Sequence, residues 1–80
     1  MATVHFPSGW TQYTNGLDEI AIDAPRVGDL MQALVARFPA LADQLEQVAV
    51  AIDGKIYHHA RYEALEPHSD VHLLPPVAGG

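Results

Sequence analysis

The sequence predicts a single α+β domain over residues 1–80, with one helix packed on one sheet. Three observations predict it. Short runs in which apolar and polar residues alternate recur along the chain and are typical of half-buried strands. One longer stretch repeats its apolar residues at helical spacing, and turn signals separate the segments. Their order is two strands, a helix, a hairpin and a final strand, which is an α+β layout.

The first two strands are predicted over residues 3–6 and 17–23, where apolar and polar residues alternate. The connection between them contains Asn15-Gly16, a strong turn signal. It also contains Trp10 and Tyr13, which we expect to cover the end of a small core rather than to stack on a ligand. The two strands therefore form a hairpin with a long loop.

The main helix is predicted over residues 27–38 and ends before Pro39, because the residue before a proline resists the helical region. Asp29 stands where a capping-box acid would, but Arg26 occupies the N-cap position, where serine or threonine is expected. Residues 40–47 predict one or two further turns. The apolar positions on one side of the helix are Val27, Leu30, Met31, Leu34, Val35 and Phe38.

The second half of the chain predicts a hairpin and one more strand. Residues 48–52 alternate as a strand, Asp53-Gly54 supplies a type I′ turn, and residues 55–59 return. Residues 60–70 are predicted to be mostly loop. Residues 71–74 form the last strand, which leads directly into the C-terminus.

The chain ends on Pro75-Pro76-Val77-Ala78-Gly79-Gly80, which we expect to be a flexible tail. The prolines stop the strand ladder and stiffen the exit, and the four residues after them reach about 13 Å. Gly79 and Gly80 have no Cβ, so the walls of a partner can close onto the backbone. From Leu73 onward no side chain is ionisable or nucleophilic, so if the tail has a function, its reactive group is the α-carboxylate of Gly80. A frayed tail without function is the alternative.

Composition excludes several classes of function. The chain has no cysteine, which excludes a disulfide framework or a thiol nucleophile within it. Ten acidic and four basic residues give a formal charge of −6, which argues against a nucleic-acid surface. This charge favours partners with basic docking sites, or simply keeps a small domain soluble. No apolar run reaches the ~20 residues that span a bilayer and no secretory signal begins the chain, so we expect a cytoplasmic protein without a membrane partner.

Three segments resemble the MoaD/ThiS family of ubiquitin-like sulfur carriers. They are Arg26-Val27-Gly28-Asp29-Leu30, Asp53-Gly54 and, as the most specific part, residues 71–80. The Pro-Pro pair is nearer to MoaD-like members, the small subunits of molybdopterin synthase. The resemblance implies a ubiquitin-like β-grasp fold, with a mixed sheet of four to five strands on one main helix. Two positions depart from the family: Arg26 replaces a small hydroxyl residue, and Ser69-Asp70 replaces Gly-Asp.

In such carriers the chain is a co-substrate rather than an enzyme, and the resemblance implies the same here. An activating enzyme uses ATP to adenylate the terminal carboxylate, here that of Gly80, and a sulfur donor converts it to a thiocarboxylate. The implied partners are a MoeB/ThiF-like adenylyltransferase of the ubiquitin-activating type, the sulfur donor and an acceptor enzyme. For molybdopterin synthesis the acceptor is a MoaE-like large subunit. The chain itself binds no cofactor.

The resemblance also implies a docking surface beside the tail. If Val71 and Leu73 point to the core, His72 and Leu74 face out of the sheet on the side away from the helix. The family position that matches Leu74 lies in the enzyme-binding patch, so we expect Leu74, with His72, to contact a partner. The reversed phase, with Leu74 in the core, stays open.

Five histidines raise the question of a metal site. His58 and His59 are adjacent, so on a strand they face opposite ways and cannot chelate together. His5 and His72 are neighbours if the first and last strands pair, as they do in β-grasp folds. Two ligands make a poor zinc site, which usually has three or four. We therefore expect no bound metal.

Other functions stay open. Gly80 could be joined to a lysine amine, as in a ubiquitin-like modifier, and both routes share the adenylate. A β-grasp interaction module with an incidental tail is a third reading. Catalysis by the chain itself is disfavoured, because no acid/base pair with a nucleophile is apparent. The pathway is also open, since molybdenum-cofactor, thiamine, cysteine and specialised thio-metabolite synthesis all use such carriers.

Overall fold

A five-stranded sheet and one main helix make up the fold in the computed structural model, which describes residues 1–58 and 60–75. Short 3₁₀ turns at Ser8–Trp10 and Pro39–Leu41 connect elements. The helices and strands are β1 (Ala2–His5), β2 (Glu19–Ile22), α1 (Val27–Arg37), α2 (Ala42–Leu45), β3 (Ala49–Ile52), β4 (Lys55–Tyr57) and β5 (Asp70–Leu74).

The sheet is mixed, as expected from the sequence, and has five strands in the order β2-β1-β5-β3-β4. β1 and β5 are parallel, and the other neighbours are antiparallel. The C-terminal strand is therefore the central strand, with hydrogen-bonded neighbours on both sides. Its last residue, Leu74, pairs with Ala49 at the start of β3.

One face of the sheet packs against α1, and we call it the inner face. Val4 of β1 and Val71 of β5 are opposite each other on it, and both are fully buried. Val50 and Leu73 form the next buried pair. Burying one such aliphatic side chain contributes about 1.5–3 kcal/mol. The helical region adds buried side chains that continue this core: Val27, Leu30, Leu34, Phe38, Leu41 and Leu45.

The long loop between β1 and β2 closes one end of the core, as predicted. Trp10 is 6% exposed and Tyr13 is half-buried against the core. Thr14 is fully buried, and its hydroxyl donates to the carbonyl of Leu17 at 2.8 Å. This hydrogen bond satisfies a polar group that burial would otherwise make unfavourable.

The start of α1 is capped by a distant loop rather than by a side chain. Arg26 is extended at the N-cap and makes no side-chain cap, as its residue type predicted. The amide of Val27 donates to the carbonyl of Glu63 at 3.0 Å, and that of Gly28 to the carbonyl of Arg61 at 2.9 Å. Two of the free amides of the first turn are thereby satisfied. A Cβ on Gly28 would lie 3.1 Å from the Arg61 carbonyl oxygen, so the close approach favours glycine there.

The hairpin is confirmed, but its second strand is shorter than predicted. Asp53 and Gly54 have φ of 49° and 88°, as a type I′ turn requires. β4 ends at Tyr57 and not at His59, and His58 lies in a bend. Beyond it, Arg61 lies at the start of α1, where its carbonyl accepts a hydrogen bond from the amide of Gly28, so the chain has left the sheet by this point. His59 lies outside the described residues.

No helix in the described part of the chain is both long and apolar enough to cross a bilayer.

Candidate functional site

The candidate site lies where β5 delivers the chain to its C-terminus. Val71 and Leu73 are 0% and 2% exposed, whereas His72 is exposed and Leu74 is half-buried. The predicted phase of this strand is therefore confirmed. His72 and Leu74 lie on the sheet face turned away from α1, which we call the outer face. Their role in docking stays a prediction.

The tail itself is only partly described. Pro75 is exposed at the end of β5. Residues 76–80 lie outside the described residues, so the roles expected for Pro76, Val77, Ala78, Gly79 and Gly80 stay predictions. The structure shows where the tail begins, because Pro75 directly follows the central strand β5.

One row of outward-facing residues crosses the whole sheet. The register places His5 opposite both Glu19 and His72, and it places Ala51 opposite both His72 and Ile56. Residues directly opposite each other point to the same face, so each strand adds one side chain. At about 4.8 Å per strand the row is about 19 Å long. From one edge of the sheet to the other, its members are Glu19, His5, His72, Ala51 and Ile56.

The two central histidines of this row are neighbours, as expected if β1 and β5 pair. Their rings stack with centroids 4.3 Å apart and an interplanar angle of 11°. His5 Nε2 lies 3.2 Å from Asp70 Oδ1, and His5 Nδ1 lies 4.0 Å from Glu19 Oε1. Within residues 1–58 and 60–75, no group of three or more histidine, cysteine, aspartate or glutamate side chains is arranged so that it could hold a metal ion.

Sequence reasoning missed Ile56 as a surface residue. It is 58% exposed on the outer face. The alternation of β4 alone cannot indicate this, because the strand has only three residues, Lys55–Tyr57. The signal that could find it is the register, which aligns Ile56 with Ala51 and His72.

A depression of about 410 Å³ lies elsewhere, between α1 and α2. Its charged lining residues are Glu46 and Arg61, and the described residues around it include no serine, threonine or histidine. It therefore offers no hydroxyl, thiol or imidazole nucleophile for covalent catalysis. Apolar side chains supply most of its wall, including Met31 and Val35.

Comparison with protein families finds one match that covers most of the chain. The model of the ThiS family matches residues 9–80, which includes the strand and the tail described above. No curated protein sequence matches the chain significantly.

Solved structures with the same fold cover nearly the whole chain. A chain of the BexX/CysO complex from Amycolatopsis orientalis has a TM-score of 0.87 at 17% identity, with 100% of both chains covered. Small archaeal modifier protein 1 from Methanosarcina acetivorans has a TM-score of 0.81 at 21% identity, covering 99% of this chain and 95% of that one. At these identities the likeness shows the fold alone, and it confirms the ubiquitin-like β-grasp.

A third structure is more similar in sequence. The putative molybdopterin converting factor subunit 1 from Pyrococcus furiosus is 25% identical, with a TM-score of 0.76. The match covers 95% of this chain and 97% of that one. All three proteins are thus similar in size to this chain.

Proposed function

Because this chain belongs to the ThiS family, we propose that it is a sulfur carrier whose Gly80 carboxylate is adenylated and then converted to a thiocarboxylate. The carboxylate attacks the α-phosphate of ATP and releases pyrophosphate. A sulfide nucleophile from the sulfur donor then displaces AMP from the acyl carbon. The chain is the co-substrate in both steps, and its partners supply the catalytic groups.

The observation that carries this proposal is the position of β5. The strand that bears the tail is central and hydrogen-bonded to β1 and β3, while Val71 and Leu73 anchor it in the core. Because β5 is not an edge strand, its pairing with β1 and β3 is retained when a partner holds the tail. The exposed Pro75 and the half-buried Leu74 support the proposal, because they leave the base of the tail accessible to such a partner.

We propose a ThiF- or MoeB-like adenylyltransferase as the activating partner, acting in the cytoplasm. For the acceptor we propose the large subunit of molybdopterin synthase. The Pro75-Pro76 pair and the similarity to the Pyrococcus furiosus converting factor support this choice. The chain would then be the small subunit of that synthase.

The test is intact-mass analysis after incubation with the activating enzyme, ATP and a sulfur donor. The wild-type chain should gain the mass difference between sulfur and oxygen. Gly80→Ala should lower the yield by about tenfold or more, because a side chain displaces the reacting carbon from its position in the enzyme. Equal yields from Gly80→Ala and wild type would refute the proposal.

Gly9→Ala is the matched control, because a Cβ at Gly9 meets nothing within 4 Å. This variant should be loaded as well as the wild type. If the chain gains no sulfur and cells contain higher-mass conjugates that disappear with Gly80→Ala, the chain is a protein modifier. The adenylation step would stand in that case, and the sulfur step would not.

A further inference from the structure

We propose that the groove between α1 and α2 docks an amphipathic helix of the sulfur-donor protein while the activating enzyme holds the tail. This inference rests on the proposed function, since it names where the sulfur donor meets the carrier. The groove lies in the helical layer, whereas the outer face is turned away from α1. It is therefore free when another partner covers His72 and Leu74.

Two adjoining depressions of about 410 and 240 Å³ form this groove. Along α1 the lining extends from Gly28 to Ala36, which makes the groove about 12 Å long. That length matches two turns of a docked helix. The two depressions are continuous, because they share four lining residues: Met31, Leu45, Glu46 and Arg61.

The floor of the groove is apolar, and small residues on its walls allow a close approach. Met31 and Val35 are half-buried against the core, and Leu45 of α2 is buried. Ala36 of α1 and Ala42 of α2 are exposed on the two walls, where a methyl group leaves room for the side chains of another helix. Such a groove suits a helix whose apolar anchors are at i, i+3 or i+4, and i+7.

Charges at the groove indicate the chemistry of the docked helix. Glu46 and Arg61 are exposed and line both depressions, and neither is in an ion pair within the described part of the chain. A complementary helix therefore carries a lysine or arginine that faces Glu46 and a carboxylate that faces Arg61. The tail of a second copy fits less well, because it supplies a carboxylate but no cation.

The chemistry of loading favours the sulfur donor as the occupant. The acyl adenylate is a reactive mixed anhydride, and water competes with sulfur for its carbonyl carbon. The donor must therefore reach Gly80 while the activating enzyme still holds the adenylate, and it needs a surface that this enzyme leaves free. The smaller depression also reaches Val48, which precedes the Ala49 that pairs with Leu74. A protein in the groove thus lies beside the base of the tail.

The experiment measures loading of the full chain by the adenylyltransferase with two sulfur sources. One is a sulfurtransferase whose cysteine has been converted to a persulfide, and the other is sodium sulfide, which needs no docking. The outer persulfide sulfur displaces AMP from the acyl carbon. A thiol added before mass analysis is oxidised to its disulfide as it reduces the acyl disulfide to the thiocarboxylate and the donor thiol. Ala36→Arg should fill the groove and raise the KM for the sulfurtransferase about tenfold, without changing loading by sulfide.

Ala40→Arg is the matched control, because Ala40 is exposed in the turn before α2 and lines neither depression. It makes the same change of size and charge and should leave this KM within about twofold. Glu46→Gln should raise the KM less than Ala36→Arg does and should reduce its dependence on salt. ATP–pyrophosphate exchange without a sulfur source should be equal in all variants, and thermal unfolding establishes that each is folded.

The possible results separate this inference from the proposed function. If sulfide loads the wild type but Ala36→Arg and Ala40→Arg share one KM for the sulfurtransferase, the groove is not the docking site and the carrier function stands. The same conclusion holds if the sulfurtransferase cannot load the wild type that sulfide loads. If Ala36→Arg slows ATP–pyrophosphate exchange, the activating enzyme occupies the groove and the inference is wrong.

If neither sulfur source loads the wild type, the carrier function fails. Calorimetry of the sulfurtransferase with the wild type and both arginine variants then decides the docking site by itself. Binding that Ala36→Arg weakens and Ala40→Arg does not would still place the sulfurtransferase in the groove, and equal binding by all three chains would exclude it.

Discussion

The two faces of the sheet differ in what their side chains do, and β5 contributes to both. On the inner face, Val71 and Leu73 are buried against the helical layer. On the outer face, His72 and Leu74 remain accessible beside the tail. Because successive residues of a strand point to opposite faces, one short segment can stabilise the fold and recognise a partner. Substitutions in β5 should therefore affect either stability or binding, depending on their phase.

The largest expected effect separates the two adjacent leucines. Leu73→Ala should lower the free energy of unfolding by about 2–4 kcal/mol, because it leaves a cavity in the core. Leu74→Ala should lower it by less than about 1 kcal/mol, since Leu74 is half-buried on the outer face. Urea denaturation measures both values.

Binding should show the reverse order. Leu74→Ala should weaken binding to the activating enzyme, whereas folded Leu73→Ala should bind nearly as the wild type does. If Leu73→Ala weakened binding as strongly as Leu74→Ala at a temperature where it is folded, the functional separation of the faces would be wrong.

Local patterns explain why much of this comparison could be predicted. The alternation in residues 71–74 depends only on neighbours in sequence, and the structure confirms the phase of Leu73 and Leu74. The Asp53-Gly54 turn is equally local, because both residues tolerate positive φ. The helical spacing of Leu30 and Leu34 likewise placed them in the core.

Contacts between distant segments and the hydrogen bonds of individual turns could not be predicted. The loop at Arg61 satisfies the amide of Gly28, which no pattern within either segment indicates. Ser69 is 1% exposed, and its hydroxyl accepts the amide of Glu66 at 2.9 Å. Serine there replaces the glycine expected from the family, and the turn uses its side chain. The exposure of Ile56 follows from the register of several strands rather than from its own sequence neighbours.

A smaller effect is expected at the end of the sheet away from the tail. Asp53 Oδ1 accepts the amide of Asp70 at 2.9 Å, and Asp53 has φ of 49°. Asp53→Ala should destabilise the fold by about 1–2 kcal/mol, because alanine loses the hydrogen bond and resists this backbone region. Asp53→Asn should stay within about 0.5 kcal/mol, since asparagine retains an acceptor and tolerates positive φ.

The two Asp53 variants test the comparison of the two sheet faces, because Asp53→Ala changes stability without altering the outer-face residues Leu74 and Ile56. Folded Asp53→Ala should keep the affinity of the wild type for the activating enzyme. A loss of affinity in Asp53→Ala, with Asp53→Asn unaffected, would instead indicate that the turn sets the position of outer-face residues that contact the enzyme.

The smallest effect concerns whether the outer face also contributes to stability. His5 and Asp70 are in contact at 3.2 Å, but their side chains are 30% and 63% exposed. Solvent screens such a pair, so a double-mutant cycle of His5→Ala and Asp70→Ala should give a coupling energy below about 1 kcal/mol in unfolding. The amide of Asp70 that bonds Asp53 is retained in the alanine variant, so the cycle isolates the side chains.

A coupling energy well above about 1 kcal/mol would mean that the stacked histidines and their carboxylates help to hold β1 against β5. The outer face would then be under selection for the fold as well as for recognition, and exposure would no longer distinguish the two roles.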